Sequence, residues 1–286
     1  MFELSAHGPD VHVGVGPQYP WGGLYGGQIV AQALRAAAFS VDTDLLPHSI
    51  RAYFIRRGDA SEPVRYEVDR IRNGRSFATR RVVARQAIGA ILNAESSFQR
   101  PEDSTAIQTV DMPEVPPADV LDQDSWSPSF ERAYVPPERL ADSRRDGAGR
   151  RAAWMRVTDP IRNAVGGEVV DSAPPASADA GDAGEQLLHR CWLAFLSDDL
   201  PTDAVLGSHP DAGDPEFEEH RFTASLDHTV WFHRPIDVSQ WHLHDFTCLH
   251  LVGGRGLAVG HVFTAEGVHT ATIAQEVLVR DRRGRD

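Results

Sequence analysis

The stretch from Gly22 to Phe39, G-G-L-Y-G-G-Q-I-V-A-Q-A-L-R-A-A-A-F, predicts the helix around which this chain folds. After its paired glycines, apolar residues recur at helical spacing, at Ile29, Val30, Ala33, Leu34 and Ala37. Much of this apolar face is alanine, which lets a sheet approach the helix axis closely. We therefore expect the helix to lie in the concave side of a curved sheet.

Four segments of strand composition follow this helix, at residues 48–55, 64–72, 76–87 and 90–98. The last three are joined by the short turns Asn73-Gly74 and Ile88-Gly89, which favour an antiparallel meander. One helix followed by a meander is an α+β unit.

The second half of the chain repeats this order. A helical pattern at residues 185–196 precedes strand segments at 230–234, 257–264 and 268–280. Its G-R-G-L motif at 254–257 matches G-R-S-F at 74–77. Two such units side by side join their sheets and cover one exposed edge of each. We expect a first repeat over residues 1–100 and a second over 129–286, joined into one sheet.

Two segments interrupt the repeats. Residues 101–128 are rich in proline and acidic residues and have no periodicity, which predicts an extended linker that runs over the surface. Residues 161–184 are rich in Ala, Gly, Asp, Ser and Pro, which predicts a mobile insertion before the second helix.

The composition limits which binding partners and which cellular compartment are expected. A net charge of −13 argues against nucleic acid or an anionic membrane as the main partner. The two cysteines, Cys191 and Cys248, have no metal-ligand spacing, which fits a reducing compartment. We find no secretory signal and no apolar run long enough to cross a bilayer, so we expect a soluble, cytoplasmic protein.

Three polar groupings are candidates for a binding or reactive site. The stretch S-L-D-H-T-V-W-F-H-R at 225–234 sets a hydroxyl, an acid and two imidazoles at the start of a strand, where they either close a turn or face a cavity. The glycine turn at 26–28 is either a simple helix start or a set of N–H donors for an anion. The arginines at 72, 75, 80, 81 and 85 form either a rim that contacts phosphate or a solvated sheet face.

Several motifs together resemble the acyl-CoA thioesterase II family. They are G-G-L-Y-G-G-Q-I-V-A-Q-A-L, H-S-I-R-A-Y-F-I-R-R-G-D, R-N-G-R-S-F-A-T-R-R-V, D-H-T-V-W-F-H-R-P and A-T-I-A-Q-E, and the similarity covers residues 22–98 and 187–280. The resemblance implies a double hotdog fold and hydrolysis of acyl-CoA to free coenzyme A and fatty acid by a directly activated water. It implies no cofactor, since coenzyme A is part of the substrate, and a homo-oligomer, because hotdog sheets usually continue across subunits.

The resemblance also implies the catalytic residues. By its motifs they are Asp198, Ser225 and Gln275, although the neighbouring Asp199 leaves open which aspartate faces the pocket. A carboxylate is the general base that water needs, while a hydroxyl and an amide fix the position of the water.

Two further groups complete the expected site. Donors for the negative charge that develops on the thioester oxygen are expected at Gly26, Gly27 and Gln28. Arg75 and Arg80 are further candidates for substrate binding.

This chain departs from the family pattern, and two other functions stay open. Arg57 stands where the family usually has proline, and residues 248–252 replace a region usually rich in Ser and Thr, so the preferred acyl chain is open. An enoyl-CoA hydratase requires an Asp–His pair, but adjacent Asp227 and His228 point to opposite faces of a strand. A non-catalytic acyl-CoA binding protein is the second alternative.

Overall fold

The computed structural model describes residues 1–140, 149–161 and 178–283, which form one antiparallel sheet with two long helices packed against one face. The long helices are α1 (Gly26–Ala38) and α2 (Ala178–Leu196), and two short helices follow, α3 (Pro201–Leu206) and α4 (Pro215–His220). The strands are β1 (Leu4–Ala6), β2 (Val11–Gly14), β3 (Leu46–Phe54), β4 (Val64–Asn73), β5 (Phe77–Gln86), β6 (Gly89–Gln99), β7 (Phe130–Val135), β8 (Arg150–Val157), β9 (Arg221–Ser225), β10 (Asp227–Phe232), β11 (His242–Val252), β12 (Arg255–Thr264) and β13 (His269–Asp281).

The strand order contains the same unit twice. Across the sheet the strands run β1-β2-β4-β5-β6-β3-β10-β13-β12-β11-β8-β7, and β9 pairs with the end of β13. The order β4-β5-β6-β3 after α1 is therefore mirrored by β10-β13-β12-β11 after α2. The two units join where β3 pairs with β10, with Arg51 opposite Thr229 at the middle of the ladder. The predicted pair of helix-plus-sheet repeats in one sheet is confirmed.

The small residues of α1 allow close packing between the helices and the sheet. Ala31, Ala33, Ala36 and Ala37 are fully buried in the main core. A Cβ atom on Gly27 would lie 2.3 Å from the backbone oxygen of Phe195 in α2, so only glycine fits there. The glycines of the opening stretch therefore serve close approach between the two helices more than flexibility.

Two predicted boundaries in the second repeat change. Helix α2 begins at Ala178, seven residues before the predicted start, so the end of the predicted insertion is helical. The rest of that insertion, residues 162–177, lies outside the described residues. Strand β10 begins at Asp227, which places the Asp-His pair within the strand instead of before it.

The linker covers a second, smaller core on the other face of the sheet. This core contains Trp154, Leu243 and Phe263, and the linker packs Val110, Met112, Val115 and Leu121 against it. The indole N–H of Trp154 donates to the Pro116 carbonyl at 2.8 Å. The linker thus runs over the sheet and buries apolar surface there.

Candidate active site

Asp198 lies at the junction of the two repeats, two residues beyond the end of α2. The residue is 7% exposed, and its Oδ2 accepts the Gly27 N–H at 2.8 Å. A Cβ on Gly26 would lie 2.6 Å from the same oxygen and 2.9 Å from the Phe54 ring. The Gly-Gly pair therefore lets the first turn of α1 close on the acid supplied by the other repeat.

Ser225 and Gln275 meet Asp198 from the sheet. Ser225 ends β9 opposite Val277, and Gln275 is a fully buried residue on the inner face of β13. The Gln275 amide donates from Nε2 to Ser225 Oγ at 2.9 Å. Ser225 Oγ in turn lies 3.5 Å from Asp198 Oδ1. The structure therefore brings together the acid, the hydroxyl and the amide that the sequence nominated.

Asp199 points away from this group. Arg132 in β7 donates to its Oδ2 at 2.5 Å, and the Trp126 indole N–H donates to its Oδ1 at 2.7 Å. With both oxygens engaged by partners from the other side of α2, Asp198 is the aspartate that faces Ser225 and Gln275.

His228 also belongs to this group, although the family motifs do not point to it. It is fully buried on the inner face of β10, and its Nδ1 lies 2.5 Å from Gln275 Oε1. Its Nε2 lies 2.9 Å from the Ser197 hydroxyl. The signal was available: His228 alternates with the apolar Val230 and Phe232, which predicts an inward side chain.

Comparisons with known proteins identify the family. The chain matches the family described as acyl-CoA thioesterase N-terminal domain over residues 16–99, and the family described as acyl-CoA thioesterase over residues 149–278. It is 35% identical to acyl-coenzyme A thioesterase 8 of Mus musculus over 266 residues, which cover 90% of this chain and 80% of that protein. The chain belongs to the acyl-CoA thioesterase II family.

Solved structures agree with this family. The acyl-CoA thioesterase II TesB2 from Mycobacterium marinum aligns with a TM-score of 0.78 and 30% identity, covering 100% of this chain and 97% of that one. A hot dog fold protein from Alicyclobacillus acidocaldarius aligns with a TM-score of 0.72 at 20% identity, covering 98% and 96% of the two chains, and supports the fold alone. The thioesterase has the double hotdog fold.

The environment of Asp198 raises the pKa of its carboxyl toward neutral pH. Burial raises the pKa of its carboxyl to about 7, against the hydrogen bonds from Gln275, the Gly27 amide and Ser225, which favour the ionised form. A carboxyl of this kind exchanges a proton readily near neutral pH, which suits a general base in this thioesterase.

The start of α1 does not match the expected oxyanion site. The Gly27 N–H is donated to Asp198 and therefore stabilises that carboxylate. The Gln28 side chain is 1% exposed and accepts the Tyr19 hydroxyl at 2.5 Å, away from Asp198. The Gly27 N–H is therefore already engaged by Asp198, which corrects the role predicted for Gly27.

Arg80 does not fit the substrate-binding role predicted for it. It is 2% exposed on the inner face of β5, in the first repeat. All five of its N–H groups are donated, at 2.6–2.9 Å, to neutral oxygens of Ser40 (Oγ and O), Arg72 (O), Asn73 (Oδ1) and Thr79 (O). A side chain this enclosed has no donor left for a phosphate.

Arg75 is exposed, but it lies far from the site. It belongs to the β4–β5 turn, beside the end of the sheet where Leu46 begins β3. The candidate catalytic residues lie at the other end of β3, where Tyr53 is opposite Asp227. The seven residue steps from Leu46 to Tyr53 span roughly 23 Å at strand spacing. Within one chain, Arg75 is therefore outside the candidate site.

The geometry does not favour the hydratase alternative. His228 points into the core, whereas the Asp227 carboxylate accepts the backbone N–H of Glu276 at 2.7 Å. The imidazole is also held neutral, because burial lowers the pKa of His228 to about 4. Asp227 and His228 therefore do not form an acid–base pair.

Two negative findings concern only the residues that the structure describes. Among them, no group of three or more His, Cys, Asp or Glu side chains is arranged to hold a metal ion. Within the same ranges, no helix has the length and apolar character needed to cross a membrane.

Proposed function

We propose that this thioesterase hydrolyses acyl-CoA by a water that Asp198 activates while Ser225 and Gln275 hold it in place. The observation that carries this proposal is the convergence of a carboxylate of pKa about 7 with a hydroxyl and an amide at the junction of the repeats. Asp198 is the general base, and the other two residues are the groups that position the nucleophile.

The two oxygens of Asp198 have different roles in this proposal. Oδ2 is fixed by the Gly27 N–H at 2.8 Å, whereas Oδ1 faces the Ser225 hydroxyl at 3.5 Å. Oδ1 is therefore the oxygen that accepts a proton. Ser225 is partly exposed, so the substrate reaches this group from the side of that hydroxyl.

His228 is a positioning residue in this scheme. The Gln275 amide N–H donates to Ser225, so its oxygen is the atom that faces His228 and accepts a hydrogen bond from the Nδ1–H. His228 Nε2 then accepts from Ser197. A neutral imidazole locked in this tautomer fixes which way the Gln275 amide points.

The reaction follows from these placements. Water attacks the thioester carbonyl carbon as Asp198 Oδ1 takes its proton, which gives a tetrahedral intermediate. The intermediate collapses with cleavage of the carbon–sulfur bond, and the coenzyme A thiolate receives the proton from Asp198. The products are a free acid and a thiol, with no covalent enzyme intermediate and no metal or other cofactor.

Thiol release from acyl-CoAs of several chain lengths tests the proposal. The wild-type protein should release thiol, Asp198→Ala should lose the activity, and Asp199→Asn should keep most of it because that residue faces Arg132 and Trp126. EDTA should not change the rate. Tight binding of acyl-CoA without thiol release would favour the non-catalytic alternative. An equal loss of activity in both variants would contradict the role of Asp198.

We also propose that the protein is a cytoplasmic homo-oligomer that does not bind nucleic acid. The acidic charge of −13 supports the last point, and two free cysteines suit a reducing compartment. The family resemblance supports the oligomer. Light scattering on the purified protein, fractionation of the source cells and a nucleic-acid shift assay test the three points in turn.

A further inference from the structure

Two loops form a rim next to the candidate active site. The first, residues 15–25, leads into α1, and the second, residues 55–63, follows β3. They are joined by hydrogen bonds from Leu24 N to the Gly58 carbonyl at 3.1 Å and from Gln18 Nε2 to the Ala60 carbonyl at 2.8 Å. The rim starts at the site itself, because Phe54 N donates to the carbonyl of Leu226, the residue after Ser225.

The rim carries an exposed indole that is held rigidly. Trp21 is 44% exposed, and its ring is stacked on Tyr19 with centroids 5.0 Å apart and planes 11° apart. Tyr25 and Trp126 contact it edge-on at 6.0 and 5.3 Å. Because the stacked Tyr19 holds this partly exposed ring in place, it provides a flat, fixed aromatic surface of the kind on which nucleobases stack.

Two consecutive arginines without a carboxylate partner lie in the second loop of this rim. Arg57 donates from Nη2 to the Trp21 carbonyl at 2.7 Å, and Arg56 donates to the Ala90 carbonyl at 2.8 Å. In the part of the chain that the structure describes, neither guanidinium lies within 4 Å of an acid. The two carboxylates in the same loop have other partners, since Asp59 accepts the N–H and hydroxyl of Ser61 and Glu62 accepts the Ala87 N–H at 3.2 Å.

An exposed indole and two arginines without an acidic partner are a distinctive feature in a protein of this net charge. Some other arginines of the first repeat are paired with acids, as Arg70 is with Asp10 and Arg85 with Glu67. Two consecutive arginines without an acidic partner place positive charge on the rim of a chain of net charge −13, and guanidinium groups match phosphate geometry. A flat aromatic surface beside a phosphate site is suited to a purine nucleotide.

We propose that Trp21, Arg56 and Arg57 bind the nucleotide end of coenzyme A, with the adenine on the indole and the phosphates on the two guanidinium groups. This inference rests on the proposed function, which makes acyl-CoA the substrate. From Ser225 the contacts run through Leu226 to Phe54, and the chain from Phe54 to Arg57 then covers at most about 10 Å at strand spacing. The flexible pantetheine arm spans such an interval from the thioester to the phosphates.

The test compares an acyl-CoA with the acyl-pantetheine of the same chain length, which lacks the nucleotide. Trp21→Ala and Arg57→Ala should each raise KM for acyl-CoA about tenfold and leave kcat nearly unchanged. Neither should change kcat/KM for acyl-pantetheine. Arg75→Ala, an exposed arginine at the far end of β3, is the matched control and should change neither substrate.

A second measurement uses 3′-phosphoadenosine 5′-diphosphate, the nucleotide part alone. It should inhibit the wild-type protein competitively, about tenfold less strongly after Arg57→Ala. The inference is overturned if the nucleotide does not inhibit the wild type, or if the variants affect acyl-CoA and acyl-pantetheine equally, which would indicate damage to the loops. Failure of the proposed function is a different result, since the wild type would then release thiol from neither substrate.

Discussion

The place in the first repeat that corresponds to the candidate active site is sealed, because a buried arginine side chain fills it. The site in the second repeat is not sealed in this way. A twofold axis through the middle of the β3–β10 ladder, at Arg51 and Thr229, exchanges Ile50 with His228. Ile50 lies opposite Ser96 in β6, and His228 contacts Gln275 in β13. Ser96 is thus the counterpart of Gln275.

The other residues of the candidate site also have counterparts in the first repeat. Ser96 lies opposite Arg80, and Gln275 lies opposite Ala258. Ser40 and Asp198 each stand two residues beyond the end of their helix. Ser40 therefore replaces the acid, and the Arg80 side chain fills the space that an alanine leaves free in the second repeat.

The difference shows two ways to satisfy polar atoms where a helix end meets the sheet. In the first repeat, a buried cation donates all of its five N–H groups to neutral oxygens. In the second, a buried acid has one oxygen held by Gly27 and the other without a short bond. Full satisfaction stabilises the fold, while incomplete satisfaction leaves a group that can react.

Replacing Asp198 by Asn should separate activity from stability most strongly. Turnover should fall about 10²–10⁴-fold, because the amide cannot accept the proton of the water. The fold should become more stable at pH 8, by about 1–3 kcal/mol, since the ionised carboxyl is buried at a cost. Thermal unfolding of both proteins across pH, together with thiol release, measures the two effects.

The sign of the stability effect follows from the raised pKa. Burial raises the pKa of Asp198 to about 7, so the neutral form favours the fold below the ordinary value near 3.8, and this contribution is lost as pH rises toward 7. The advantage of Asn should therefore vanish near pH 4. An advantage independent of pH would contradict the raised pKa.

Replacing Arg80 by Met should give the opposite result in the first repeat. Loss of the guanidinium leaves buried carbonyl and hydroxyl oxygens without partners, so the free energy of unfolding should fall by about 3 kcal/mol or more, while kcat per folded molecule is unchanged. Denaturant titration and active-site-normalised turnover measure these quantities.

The adjacent Arg81 is the matched control for Arg80. It lies on the outer face of β5, with its side chain 45% exposed and a 4.0 Å pair with Asp69. Arg81→Met should change the free energy of unfolding by less than about 1 kcal/mol. Equal effects of the two substitutions would indicate that Arg80 does not seal the first repeat.

The pH dependence of turnover should come from the second repeat alone. Because the base must be ionised and the pKa of Asp198 is about 7, kcat should rise with pH and reach half of its plateau near pH 7. Below that midpoint it should fall about tenfold per pH unit. A midpoint near pH 4 would instead indicate an exposed carboxylate, and the residual activity of Asp198→Asn should not follow the same curve.

The sequence predicted the repeats well because their strands carry period-two patterns and glycine turns, and β3 to β6 begin and end within two residues of the expected positions. It did not predict that Arg80 is buried, since alternation along β5 places Arg80 and Arg81 on opposite faces without saying which face is covered. It nominated Asp198, Ser225 and Gln275 through family motifs. Their convergence, and the use of the Gly27 N–H by Asp198, depend on contacts between repeats that no local pattern encodes.

The smallest expected effects on turnover and stability come from substituting one serine in each repeat. Ser225→Ala should lower turnover about tenfold, because the hydroxyl helps to fix the water, and Ser225→Thr should retain activity because it keeps that hydroxyl. Ser96 is buried and its Oγ has no hydrogen-bond partner, so Ser96→Ala removes an unsatisfied polar atom. It should leave turnover unchanged and raise the free energy of unfolding by up to about 1 kcal/mol. Turnover that falls equally in both alanine variants would contradict the distinction between a reactive and a sealed repeat.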